Sequence, residues 1–368
     1  PEIITIICEL VMAKVRSKDD PGSLASLCRS SKRLNNIGTP ILYSHFIARR
    51  GTRMVVSFLA TICLRPELGK YVRELFLIDT ARCVVTVHRA RLFYKAAMRL
   101  GIRNFPMDLS EFDTIAQLLI AQTPRVRVVH IFTRKAGNIY GAWGYTILAE
   151  LATQVPRRVE LTYLQRLYIS HARAAADMSL HFFGGIIKLA PSISYLYIHP
   201  CSGLNPVGTN MRPQLSFKNV TRLFLNGGML SRHQMQLIVN ACGPLMAFRY
   251  NYSRPGHIGP IIRVTGREMI QILTPHKNTL RLIDLLLDEK GKTWYVNELI
   301  AGISENGNQI LSLKHFSQLE TLIVDGPSLR FPEKNTSHYH TYILKDMLPQ
   351  SIQSFYIASP QMESVANL

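Results

Sequence analysis

The chain runs to 368 residues, with 43 Lys and Arg against 24 Asp and Glu, a formal net charge of +19, and 47% apolar residues. That length holds two or three average domains, or one elongated domain with an appendage. No apolar run approaches the roughly 18 residues of a membrane span, so no membrane partner is expected.

At the amino end, "PEIITIICELV" carries Glu2 and Glu9 and no basic leader, so a signal peptide is not expected; lacking an initiator Met, the sequence reads as a fragment. Ile3, Ile7 and Leu10 fall on one helical face, with Ile4 and Val11 beside it. A polar loop, "RSKDDPGS", leads to a second short helix. There Leu24, Leu27 and Cys28 supply the apolar face, extended by Leu34 and Ile37 until Pro40 ends the helical signal. So small a unit lacks a robust core of its own. It is expected to be completed by a partner, or to seal the end of the segment that follows.

Beyond it an apolar frame, h-x-x-h-x-h with h apolar, recurs nine times. It begins at Val72, Val126, Leu164, Ile193, Val220, Leu245, Leu280, Leu319 and Ile352, at intervals of 54, 38, 29, 27, 25, 35, 39 and 33 residues. Helical patterns precede several frames: "DTIAQLLIAQTP" before Val126, "LSRHQMQLIVNACGP" before Leu245 and "REMIQILTPHKNT" before Leu280. A helix, a turn and a short strand cannot close a core alone, whereas stacked units can. The expectation is an α/β solenoid of leucine-rich-repeat type over 66–368, with a curved parallel sheet and helices on its convex side. An ordinary α/β fold is the rival. The 54-residue interval leaves room for a degenerate unit around "RCVVTVH".

The segment "PEIITIICEL…DDPGSLASLCRSSKRLNNIGTPILYSHF", residues 1–46, resembles an F-box of the fungal type. The following "RPELGKYVRELFL" is similar to the first repeat of fungal F-box/leucine-rich-repeat proteins. The resemblance implies a small N-terminal helical F-box over 1–46, a connecting helix or linker over 47–65, and then the repeats. It also implies a role as the substrate-recognition subunit of an SCF-type cullin-RING ubiquitin ligase. The F-box would bind the adaptor subunit, and through it the cullin. By position, Pro1, Ile3, Ile7, Leu10, Leu24, Leu27, Cys28 and Leu34 would carry that contact. The chain itself would be non-catalytic and need no cofactor.

Side chains alternate along a strand, so residues between the frame's apolar positions form columns on the open face. Repeats three to six then bring together Arg166, Tyr168, Tyr195, Tyr197, Arg222, Phe224 and Arg249, with His199 and Asn226 on the next column. Residues 178–267 hold nine Lys and Arg and no acid. Arg and aromatic residues there point to a target-binding surface selective for acidic or phosphorylated protein. The alternative is that the rings merely stack along the sheet. Arg91, Lys95, Arg99 and Arg103 recur every fourth residue and predict a basic helical stripe, either a solvated face or a contact for nucleic-acid phosphates or an acidic partner. A basic repeat scaffold binding nucleic acid or acidic proteins, without a ubiquitin role, is the alternative function.

Six cysteines show no CxxC and no paired spacing, which points to reduced, buried thiols in a cytoplasmic or nuclear protein. "GKT" at 291–293 lacks the glycine a phosphate-binding loop needs at Leu286, and "HYH" at 338–340 lacks neighbouring ligands in metal spacing.

Overall fold

A computed structural model describes residues 2–18, 22–48, 51–79, 83–106, 109–133, 146–171, 184–201, 217–228, 230–252, 264–287, 309–325, 328–329 and 345–358. Ten strands hydrogen-bond in chain order in one open sheet, and the strand pairs of known register are parallel. The chain divides into two compact units, Pro1–Tyr168 with Phe183–Ser192, and Ile169–Phe182 with Ile193–Leu368.

The first unit opens with three helices, α1 (Glu2–Lys18), α2 (Gly22–Ser30) and α3 (Lys32–Ser44). The turn into α3 is set by Ser31, whose extended backbone and hydroxyl, accepting the Leu34 N–H at 3.1 Å, form an N-cap. Cys8, Leu24 and Cys28 are buried at the centre, with Ile4, Val11, Leu27, Ile37, Ile41 and Leu42 packed around them. Gly38 is what lets α3 close on α2, because a Cβ there would lie 2.6 Å from Cys28 Sγ.

Pro40 does not end the helix, which continues to Ser44. Proline removes only the bond to the Asn36 carbonyl. Asn36 is exposed, and Ile37, Ile41 and Leu42 hold the turn against the core.

The three helices lead straight into β1 (His45–Ile47), which pairs with β2 (Glu74–Ile78). No frame marks this first strand. Between them α4 (Thr52–Leu64) buries Val55, Val56, Leu59, Ile62 and Cys63. The 54-residue interval holds α5 (Val87–Arg99) and α6 (Phe112–Ala121) before β3 (Val128–Thr133). Cys83–Thr86 is not a strand, so the degenerate unit is not found among the described residues. The predicted basic stripe also stops short. Gly101, at φ 78, ends α5, Arg99 donates to the Cys63 carbonyl at 2.9 Å, and the Arg103 N–H is taken by Glu150 Oε1 at 2.7 Å.

All ten residues of α6 are buried. Its Gln117 side chain accepts the Leu148 N–H at 3.2 Å, satisfying an orphan donor in the first turn of α7 (Thr146–Thr153). The unit is completed by α8 (Gly184–Leu189) and the opening residues of β4 (Arg166–His171).

The second unit carries the rest of β4, then β5 (Tyr195–His199), β6 (Arg222–Gly228), α9 (Arg232–Ala241), β7 (Ala247–Tyr252), α10 (Gly266–Leu273), β8 (Leu282–Leu286), β9 (Thr321–Asp325) and β10 (Ser354–Ala358). Capping boxes start α9 (Ser231 with Gln234) and α10 (Thr265 with Glu268). Buried His276 accepts the Leu245 N–H on Nδ1 at 3.4 Å and so donates from Nε2 to the Val239 carbonyl at 3.3 Å. One neutral imidazole thus closes a backbone group of α9 and one of the turn that leads into β7, and burial holds its pKa below the ordinary value.

Every one of the nine frames yields a strand, and each strand starts two residues after the frame does. In the first eight, all three apolar positions are buried. Burying each such side chain is worth about 1.5–3 kcal/mol, which is why the frame dictates the register. In the ninth, Ile352 and Phe355 are half-buried and Ile357 is exposed. The second frame position forms a rung of backbone bonds ahead of the strands: Arg127 N–H to the Arg73 carbonyl at 2.7 Å and Gln165 to Arg127 at 2.9 Å in the first unit. In the second, Met246 bonds Thr221 at 2.7 Å and Arg281 bonds Met246 at 2.8 Å.

Candidate functional site

On α1, the row Ile4, Cys8, Val11 faces the three-helix core. Ile6, Ile7 and Leu10 are left exposed, at 54%, 48% and 64%. They stand at i, i+1 and i+4, so they make one contiguous apolar patch. The predicted contact set separates accordingly. Ile7 and Leu10 lie on the patch, Leu27 and Leu34 are half-buried, and Leu24 and Cys28 are buried in the core. Leu24 and Cys28 therefore hold the helices together and are not contact residues. Ile6 was missed, because a single helical row omits the adjacent row. Pro1 and the Ile3 side chain lie outside the described residues. Burial pushes the Cys8 and Cys28 thiols above the ordinary value, so both stay protonated.

On the sheet of the first unit, Phe76 pairs in register with His130. Their rings stack at 3.8 Å and 12°, and His130 stacks on Tyr168 at 4.0 Å and 5°. Burial, reinforced by the Arg166 charge, pushes the His130 pKa down to about 4, so at neutral pH it is an uncharged aromatic plate. Here the rings spend their faces on one another, as the ladder alternative anticipates. Arg166 is exposed beside them.

Ahead of these strands stand three arginines that the column analysis missed. Arg73 Nη1 donates to the carbonyls of Lys70 and Arg125, at 2.8 and 3.3 Å. Arg125 and Arg127 are exposed.

In the second unit the register places Tyr197, Phe224, Arg249 and Asp284 in one column and Tyr195 and Arg222 in the next. Tyr195 meets Phe224 edge-on at 5.1 Å, and Asn226 Nδ2 donates to Tyr197 Oη at 3.2 Å. His199 is half-buried, and burial lowers its pKa against the opposing Asn226 backbone bond.

Arg249 lies 5.3 Å over the Phe224 ring, and its Nε donates to Asp284 Oδ2 at 2.6 Å. The Asp284 side chain is only 5% exposed, and burial pushes its carboxyl up despite Arg249. Arg249 thus spends its Nε on an internal carboxylate, while its side chain remains 39% exposed. Arg222 is exposed. The acid-free window is also compensated from outside itself, by Asp284 and by Glu268, which meets Arg232 at 3.2 Å.

Among the described residues, no group of three or more His, Cys, Asp or Glu side chains is placed to hold a metal, no disulfide links the cysteines, and no helix is long and apolar enough to cross a membrane. The "GKT" and "HYH" stretches lie outside them. Comparison with protein-family models and with curated proteins finds no match to this chain.

Proposed function

We propose that this chain is a substrate-recognition subunit of an SCF-type ubiquitin ligase, with an F-box at residues 1–46 and leucine-rich-repeat-like units after it. The exposed Ile6–Ile7–Leu10 patch carries the reading. Three apolar side chains displayed on the first helix of a three-helix unit are costly in water unless a partner covers them. The unit that displays them is the one whose sequence resembles an F-box. The adaptor would cover the patch, and the open sheet faces would hold the target. The chain's contribution to ubiquitin transfer would be proximity, the chemistry being done by the rest of the assembly.

Co-purification with the adaptor subunit tests this. The variant Ile7→Asp/Leu10→Asp charges the patch without entering the core and is expected to lose adaptor capture while keeping its circular dichroism spectrum. Leu24→Asp would instead unfold the three helices. If the unsubstituted chain captures no adaptor, the proposal fails.

A further inference from the structure

We infer that Arg73, Arg125 and Arg127, on the loops that lead into β2 and β3, form a binding site for a phosphorylated peptide. The backbone brings them together, since the Arg127 N–H bonds the Arg73 carbonyl and the Arg73 guanidinium reaches the Arg125 carbonyl. Arg73 is half-buried and pinned through Nη1, so its position is set in advance. Arg125 and Arg127 make no side-chain hydrogen bond or ion pair among the described residues.

Among the described residues, no carboxylate forms an ion pair with any of the three. The nearest carboxylate in sequence, Glu74, lies 3.5 Å from His45 Nε2 instead. Burial, then the charges of Arg127 and Arg125, hold Arg73 below the ordinary guanidinium range, so cations are the neighbours it feels most. Tyr163, half exposed, stands within electrostatic reach of Arg73 and adds a hydroxyl donor at the rim. Three guanidiniums, two of them within electrostatic reach of the third, match a dianion with three or more oxygens better than a single carboxylate, and Arg grips such groups through paired N–H donors.

A peptide fits better than a nucleic acid. Single-stranded nucleic acid needs a row of free aromatic faces on which successive bases stack. The row of rings on this sheet is spent on itself, His130 being covered by Phe76 and Tyr168, and exposed Tyr163 alone makes no such row. The inference rests on the recognition reading only for the claim that the phosphopeptide belongs to a target. The site can be assayed without any adaptor.

The experiment is fluorescence anisotropy on the full chain with a labelled degenerate peptide pool that carries one central phosphoserine. The same pool with serine or aspartate at that position, and a labelled oligothymidylate, are run beside it. The phosphoserine pool is expected to bind, the aspartate pool more weakly and the serine pool least. Arg125→Glu/Arg127→Glu should weaken phosphoserine binding by about tenfold or more. Arg125→Lys/Arg127→Lys should restore part of it, and Lys277→Glu, an exposed charge in the other unit, should change nothing. Circular dichroism checks each variant, with Arg125→Gln/Arg127→Gln in place of any that misfolds.

Equal binding of phosphoserine and serine pools, indifference to the arginine substitutions, or tighter binding of oligothymidylate would each overturn the inference. Ile7→Asp/Leu10→Asp should keep phosphopeptide binding. Lost adaptor function with this site intact therefore separates failure of the ligase reading from failure of this one.

Discussion

His130 makes a quantitative test of the ring stack. Its pKa falls from an ordinary 6.5 to about 4, because burial between Phe76 and Tyr168 and the nearby Arg166 both disfavour the imidazolium. Above pH 6.5 the ring is neutral whether the chain is folded or not, and the stack contributes in full. Below 6.5 the unfolded chain takes up a proton that the folded chain refuses until about pH 4, so stability falls as pH drops through that window. At pH 5 the fully buried limit is about 2 kcal/mol, and solvent screening of a ring this accessible brings it to about 1 kcal/mol. His130→Phe keeps a stacked ring and removes the titration. Urea melts at pH 7.5 and pH 5.0 should show the unsubstituted protein losing about 1 kcal/mol more than this variant. Other histidines titrate alike in both proteins and cancel. Equal losses in the two proteins would refute the claim that the stack excludes the charged ring.

Two further perturbations address packing. Gly38→Ala drives a methyl to 2.6 Å from Cys28 Sγ and should destabilise the three-helix unit by about 1–3 kcal/mol, read as a lower thermal midpoint. Arg249→Ala leaves Asp284 buried without its partner, at a cost of about 2–3 kcal/mol for a pair whose arginine is partly solvated. Arg249→Ala/Asp284→Ala should be less destabilised than Arg249→Ala alone, and a double-mutant cycle without coupling would remove the ion pair from the account.

The strands were legible because their signal is spatially simple. Three apolar positions per frame all point inward, and hydrophobic burial sets the register. β1 was not legible, being three residues long and placed in the sheet only by its bonds to β2. Pro40 misled because local propensity is weaker than the packing of Ile37, Ile41 and Leu42. At the candidate sites, the register sets Arg249 beside Asp284, and composition alone does not show that the two neutralise one another. Arg73 and Arg127 escaped for a different reason. They occupy the frame position just before the strand, where alternation does not yet apply and the backbone rung decides what is adjacent.

The chain-order sheet has a mechanical consequence. From β5 to β9 each strand is held in the sheet by its predecessor and its successor, β10 by its predecessor alone, and no other described strand is laced between them. A pull on the carboxyl end would load the bonds of β10 to β9 first, then those of β9 to β8. β10 is also the least buried strand. The array should therefore yield to force as a peel, one strand at a time from its thinnest edge, rather than by a single rupture. A translocating unfoldase gripping that end would meet a staircase of small barriers.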